Sequence, residues 1–500
     1  MISADDYAKH DAIGLADLVR RREVSASELL EAAIARAEQV QPQLNIITTR
    51  MYQVAQKRAE SEPEGPLGGV PFLLKDLDQN YAGVPSSWGC AALKRAGYTP
   101  TEHSEMTRRW LVGGLIPFAY TNTPEFGGKG ITEPDAWGPT RNPWQLDRTP
   151  GGSSGGAAAA VAAGVVPAAG ASDGGGSIRI PAAYTGLFGL KPGRGRNPTG
   201  PTVGEVMHGA AVHHALTRSV RDSALLLDLT HGPELGSWCR VQPPERPYAD
   251  EVTREPGRLR IGFSARSWID TAVDPEAVMA VEDTARLLES LGHHVERAEP
   301  MIDGQRMARD FLGVWFAHMA EHVQLVRSIV GHDSRDFERD TLTMAALGRS
   351  CSALDYVECY VRWNDYARAL GEFHAKFDLF MTPAVAAPAP RIGQVCTPPE
   401  LDRLARPLLA LRLDKLLGLA PAAAFKVALE NLSWVPFTQL ANLAGVPAMS
   451  VPLHTCENGL PLGVQFIATH GGEGMLFSLA GQLERERPWA PRLLANIART

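Results

Sequence analysis

Ser177 follows three glycines, Gly174-Gly175-Gly176, and precedes a stretch that reads as a helix. Backbone N–H groups along a glycine run can converge on an anionic oxygen because no Cβ obstructs their turn. A helix starting behind the serine adds a dipole favourable to negative charge. A hydroxyl nucleophile beside preorganised donors is what acyl transfer needs, although the same glycines would serve a tight turn alone. Lys75 closes an apolar run, Val70-Pro71-Phe72-Leu73-Leu74. Desolvation there would lower its pKa and leave a neutral amine able to take a proton from a serine. A salt bridge to Asp76 or Asp78 is the more ordinary fate of such a lysine. Gly151-Gly152-Ser153-Ser154-Gly155 fits the G-x-S-x-G nucleophile elbow. That elbow needs a downstream acid and histidine, and none of the later histidines stands in a motif that selects it. His318-Met319-Ala320-Glu321-His322 fits the inverted zinc-protease pattern H-x-x-E-H. Five-residue matches are common by chance in a long chain, and a surface or pocket-lining helix is expected there.

The segments PGGSSGGAAAAVAAG and ASDGGGSIRIPAAYTGLFGLKPGRG together resemble the core of the amidase signature family. GGVPFLLKDL is similar to that family's catalytic-lysine strand, and TNTPEFG with TEPDAWGPTRNPW to its substrate-loop region. NLAGVPAMSVP, GLPLGVQFIA and RPWAPR are similar to its closing elements. The likeness covers most of the chain and thins between about 235 and 430. It implies a triad of Lys75, Ser153 and Ser177, with Ser153 bridging the other two and a cis peptide bond before it. It also implies oxyanion donors from Gly174, Gly175, Gly176 and Ser177, bracing by Asp173 and Arg179, and a supporting hydroxyl from Ser154. Phe126 and Gly127, in the substrate-loop region, are candidate substrate contacts. Trp315, Phe316, Tyr360 and Trp363 are candidates to line an apolar pocket, or else plain core. Two departures stand out. Ser172-Asp173-Gly174 replaces the family's frequent Thr-Asp-Thr or Thr-Asp-Ile, so the small Gly174 implies a wider pocket; Ala157 stands where serine is common, with little consequence expected.

The chemistry implied is hydrolysis of an aryl, aliphatic or cyclic amide through a Ser177 acyl-enzyme, with protons relayed by Ser153 and Lys75. The pattern looks closest to broad-specificity amidases and to cyclic-amide (nylon-oligomer) hydrolases. A carbamate or ester hydrolase on the same site is the alternative. Less expected are a glutamine-amidotransferase subunit, or a zinc hydrolase using His318 and His322. No metal or organic cofactor is expected.

Elements must hold these residues. Ser25-Ala26-Ser27-Glu28 has the form of a capping box, Leu29, Leu30, Ala33, Ile34 and Ala37 repeat at helical spacing, and Pro42 reads as the stop. Val70–Leu74 reads as a buried strand delivering Lys75. A helix near Met106–Val112 leads to a strand at Leu115–Tyr120. The glycine loop at 150–156 enters an Ala-rich helix, and Val165–Ala171 reads as the strand before SDGGGS. Loop, helix, strand, loop and helix within fifty residues suggest an α/β architecture. Further helices are expected at Val220–Leu229, about Pro275–Leu291, and finally Gly474–Glu486. Further strands are expected at Leu259–Phe263, Phe377–Thr382 and Val464–Ala468. Periodicity is weaker from about 300 to 430, with a Pro-rich stretch at 383–399 and a Leu/Ala/Arg-rich patch at 401–424. The fold expected is α/β, the amidase signature fold, with a central mixed twisted sheet covered by helices on both faces. It reads as one domain over 1–500, with a signature core at about 65–200 and a helical, substrate-shaping elaboration at about 300–430.

Composition narrows the function class. The chain has 500 residues, 44% hydrophobic and 21% charged, as in an ordinary soluble enzyme. A net charge of −7 argues against a nucleic-acid partner, which would want a basic stripe. Ala157–Ala163, the longest small-residue run, is too short to span a bilayer. MISADDYAKHDAIGL lacks the basic start and apolar stretch of a secretory signal. The six cysteines are scattered without a C-x-x-C pair, which points to reduced thiols and a cytoplasmic location. The expected partner is a small-molecule amide, with no nucleic acid and no membrane, for a monomer or homodimer.

Overall fold

Residues 2–332, 335–398, 403, 407–408 and 421–500 are described by the computed structural model, 421–424 through their backbone alone. Most of the Leu/Ala/Arg-rich patch at 401–424 therefore lies outside the described residues.

Short buried runs supply the strands: β1 Ile47–Arg50, β2 Pro71–Lys75, β3 Ile116–Thr121, β4 Ala168–Asp173, β5 Phe188–Lys191, β6 Val212–Thr217, β7 Arg260–Phe263, β8 His294–Arg297, β9 Leu379–Pro383, β10 Ala448–Thr455 and β11 Pro461–Ala468. Among the described residues they form one sheet in the order β1-β3-β2-β4-β6-β5-β10-β11-β9-β7-β8. The sheet is mixed. β2 runs parallel to β3 and β4, and β7 parallel to β8 and β9, while the strands from β4 through β6, β5, β10 and β11 to β9 pair antiparallel. Helices flank it. The Ala-rich helix Gly155–Ala162 is buried at every position and packs on β2, β3, β4 and β6, its small side chains allowing close approach.

The capping box forms as expected, with Ser25 Oγ accepting from the Glu28 N–H and Glu28 accepting from the Ser25 N–H. Pro42 does not stop that helix, which runs Ala26–Leu44. The proline costs that helix one i→i−4 hydrogen bond without ending it, and the helix closes at Asn45, which turns left-handed (φ 51°). The strand expected at Val165–Ala171 lies at Ala168–Asp173, so Asp173 is its last residue. Gly474–Glu486 is not the last helix: Ala490–Ile497 follows, with proline in its first turn, where the missing N–H is harmless.

The weak periodicity from about 300 to 430 conceals regular structure. Gly304–Val330 is a 27-residue helix. Helices Arg339–Ser350, Ala353–Val361 and Trp363–His374 follow, and β9 then enters the sheet between β11 and β7. No helix among the described residues is long and apolar enough to cross a membrane. All six cysteines are free.

Candidate active site

Strand β2 is buried at every residue and ends on Lys75, whose side chain is fully enclosed. Its Nζ donates to Ser153 Oγ at 2.7 Å and to Ser172 Oγ at 2.9 Å. Burial pushes its pKa down to about 7, against the opposing pull of Asp78 and Asp173. The ordinary salt bridge does not form. Asp76 instead accepts hydrogen bonds from Thr48 Oγ1, Ser86 Oγ and the Ser87 N–H. Gln79 fixes the strand end by accepting from the Lys75 N–H at 2.7 Å and donating to the Ala171 carbonyl at 3.1 Å.

Ser153 sits in the loop before the Ala-rich helix, and the Gly152–Ser153 peptide bond is cis. Gly127 lies against it: a Cβ there would stand 3.1 Å from Ser153 Oγ, and its φ of +67° already favours glycine. Ser154 Oγ donates to the Ser172 carbonyl at 3.3 Å and accepts from the Ser172 N–H at 3.4 Å. The end of the Ser153 loop is thereby tied to β4, which leads into the Ser177 loop.

Ser177 is 7% exposed and opens onto the cavity described below. Among the described residues its hydroxyl makes no hydrogen bond. The Lys75–Ser153 link is therefore made, and the Ser153–Ser177 link is open in the free protein.

A buried ion pair frames the loop. Arg179 Nε and Nη2 each donate to the Asp173 carboxylate at 2.9 Å, with both side chains fully enclosed. Arg179 also donates to Gln465 Oε1 at 2.6 Å, Asn442 Oδ1 at 2.6 Å and the Thr438 carbonyl at 2.8 Å. Asn442 Nδ2 donates to Asp173 Oδ1 at 2.9 Å. Burial alone would raise the Asp173 pKa, but the Arg179 charge and these hydrogen bonds outweigh it and hold the carboxyl below its ordinary range. Asp173 is thus held ionised at neutral pH.

That carboxylate corrects the expected oxyanion donors. The Gly176 N–H donates to Asp173 Oδ1 at 2.7 Å and the Ile178 N–H to Asp173 Oδ2 at 3.2 Å. A buried carboxylate must be satisfied, so Gly176 is committed inside the loop. The Gly174, Gly175 and Ser177 N–H groups make no hydrogen bond among the described residues. From the other side, Thr438 Oγ1 at 2.6 Å and Gln439 Nε2 at 3.1 Å both donate to the Gly175 carbonyl and fix the orientation of that peptide.

The cavity beside Ser177 has a volume of about 640 Å³. Gly127, Gly175, Ile180, Phe311, Trp315 and Phe316 form much of its wall, and Lys129, Arg339, Asp340 and Asn431 give it a polar part. Lys129 is paired with Glu338 at 3.1 Å and Asp340 at 2.7 Å. Of the residues proposed as substrate contacts or pocket wall, Trp315, Phe316 and Gly127 line this cavity. Phe126 does not line the cavity. It is buried behind Gly127, its ring against His322 and Phe337. Tyr360 and Trp363 gather around His208 instead, with ring centroids 4.1 Å and 6.1 Å from it. Gly174 does not open an empty pocket: a Cβ there would meet Trp315 and Ala211 at 3.4 Å, ordinary contact distance.

His318 and His322 form no metal pair. His322 Nδ1 lies 2.7 Å from the His318 carbonyl, closing on its own helix. Neither residue belongs to any group of three metal-capable side chains among the described residues.

Ser172, Gln79, Thr438, Gln439, Asn442 and Gln465 join the site without a role assigned to any of them by the motifs that mark it in the sequence. A signal existed for two of them: Asn442 and Gln465 are polar residues inside the apolar segments NLAGVP and LGVQFIA. A buried amide in such a run must have a partner.

A sequence model of the family described as Amidase matches residues 28–477. The 6-aminohexanoate-cyclic-dimer hydrolase of Paenarthrobacter ureafaciens is 35% identical, over 96% of this chain and 96% of that protein. Among solved structures, a 6-aminohexanoate cyclic dimer hydrolase complexed with substrate superposes with a TM-score of 0.89 at 34% identity, covering 97% of this chain and 99% of that one. A bacterial aryl acylamidase of the amidase signature family superposes with a TM-score of 0.84 at 26% identity, covering 98% and 99%.

Proposed function

This chain belongs to the Amidase family and hydrolyses amide bonds, and we propose that it does so through an acyl-enzyme formed on Ser177. The observation that carries this reading is the enclosed Lys75 amine, poised near pH 7 and bonded to Ser153 at 2.7 Å, beside a serine that opens onto a cavity.

Once Lys75 is neutral, its lone pair accepts the Ser153 hydroxyl proton, while one of its own N–H groups still donates to Ser172. Ser153 in turn takes the proton of Ser177 as the substrate seats and closes the link that is open in the free protein. The Ser177 oxygen attacks the amide carbonyl, and the Gly174, Gly175 and Ser177 N–H groups are the ones free to receive the developing oxyanion. The proton returns through Ser153 to the leaving amine, and water repeats the path to release the acid. This chemistry needs no metal and no organic cofactor.

The largely apolar wall favours amides with an aliphatic or aryl portion over small polar ones. The 6-aminohexanoate cyclic dimer is the first candidate, since relatives of this chain carry that activity in their names. A panel of aryl amides, linear aliphatic amides, the cyclic dimer, carbamates and esters on purified protein tests the reading. Saturable turnover of at least one apolar amide is expected. Turnover confined to esters or carbamates would overturn it.

A further inference from the structure

Outside the lining of the cavity, the end of β10 and the turn after it meet the helix Pro275–Ser290. Glu276, His454 and Cys456 there present ligand atoms that all lie within 4.8 Å of one another. Tetrahedral donors on a zinc-class ion, with bonds of about 2.3 Å to sulfur and about 2.0 Å to nitrogen or oxygen, sit roughly 3.3–3.8 Å apart. The sulfur reaches that spacing by a small inward movement, while the Glu276 carboxylate and the His454 imidazole, 2.8 Å apart, open by about half an ångström.

Neighbouring groups hold the three side chains in place. The Glu457 N–H donates to Glu276 Oε1 at 2.8 Å, which leaves Oε2 facing His454 Nε2 at 2.8 Å. On the other edge of the imidazole, Nδ1 lies 3.8 Å from Asp283 Oδ2. Glu276 and Asp283 are two helical turns apart on one face, so the ring stands between two carboxylates and is hydrogen-bonded to Glu276. A metal-bound histidine ordinarily donates its second N–H to such a carboxylate. Cys456 is 3% exposed, and its backbone is fixed by hydrogen bonds from its own N–H to Leu460 and from the Gly459 N–H to its carbonyl. The carboxylate, the imidazole and the thiol thus face one another across a space that an ion could fill.

We propose that Glu276, His454 and Cys456 bind a borderline divalent cation of the zinc class, clipping the β10–β11 turn to the helix Pro275–Ser290. The mixed carboxylate, imidazole and thiol set selects such an ion over calcium or magnesium, which take oxygen alone. On binding, the Cys456 thiol gives its proton to solvent and a metal–sulfur bond forms. The His454–Glu276 hydrogen bond breaks, the imidazole proton moves to the Asp283 side, and both freed atoms bind the metal. A water completes the four positions. None of the three residues lines the cavity or bonds to the Lys75 network, so the ion acts as a structural clip.

The test uses the full-length protein, stripped with chelator and titrated with zinc alone and cobalt(II) alone. One equivalent of zinc should bind and raise Tm, and cobalt(II) should give a thiolate-to-metal charge-transfer band. Cys456→Ser should lose the band, and Cys456→Ser, His454→Gln and Glu276→Gln should each weaken zinc binding by about tenfold to a hundredfold. Cys396→Ser, on an exposed cysteine, should change neither. X-ray absorption on the zinc-loaded natural sequence needs no variant to fold, and should show one sulfur with nitrogen and oxygen ligands. Absence of stoichiometric binding, a zinc shell without sulfur, or binding unchanged in Cys456→Ser would each overturn the proposal.

Discussion

Ser177→Ala should lose amide turnover by about 10³-fold or more while keeping the fold and Tm of the natural sequence. The second half of that expectation follows from the hydrogen bonds. Ser177 Oγ has no protein partner among the described residues, so its removal strands no buried donor or acceptor, and losses of that kind are what make single substitutions costly. The frame around it stays in place, since the Asp173–Arg179 pair and the Thr438 and Gln439 clamp on Gly175 do not involve the hydroxyl. The first half follows from chemistry: with no oxygen at that position, the preorganised donors have no tetrahedral adduct to stabilise. Steady-state hydrolysis and a melting curve on the same preparation check both. Turnover near that of the natural sequence would remove Ser177 from the mechanism.

The second large effect is on Lys75. Burial holds its pKa near 7, so below that pH the amine is charged and has no lone pair, while above it the base is ready. The rate should therefore climb with pH through about 7 and level off on the alkaline side. Asp173 gives no competing step, because Arg179 keeps it ionised throughout this range. Lys75→Ala should remove that limb and cost about 10²- to 10⁴-fold, the usual worth of a positioned general base. Lys75→Met fills more of the enclosed space and separates loss of the base from loss of packing. Ser153→Ala should fall less far than Lys75→Ala if a water bridges Lys75 to Ser177. A Lys75→Ala enzyme with an unchanged pH limb and most of its kcat would mean another base. His213 is then the next candidate, being buried, paired across the ladder from Ser172, and held neutral by burial.

How far the sequence reached follows from what local patterns encode. Two glycine-rich loops, an apolar run ending in lysine and an Ala-rich helix each carry their signal within about fifteen residues, and these are the parts that the structure brings together. What stayed hidden depends on contacts between distant segments. The Gly176 N–H has the same residue type around it whether it faces an oxyanion or Asp173, and only the three-dimensional turn decides. Thr438 and Gln439 lie more than 250 positions from the carbonyl they hold, and no periodicity announces such a partner. Two adjacent histidines interrupt the apolar run of β6 and mask its strand signal, yet the strand pairs with β4 and β5 and both histidines are buried. Tyr360 and Trp363 have the right chemistry for a pocket wall, but their helices direct them to His208.

The claim that a covalent intermediate forms on Ser177 is tested most directly by stopping turnover of a slowly hydrolysed amide or matched ester with acid, digesting the protein and locating the added acyl mass. The account predicts one acyl group on the peptide carrying Ser177, absent from Ser177→Ala. An acyl group on Ser153 or elsewhere, or steady turnover by Ser177→Ala with no adduct on either protein, would contradict it.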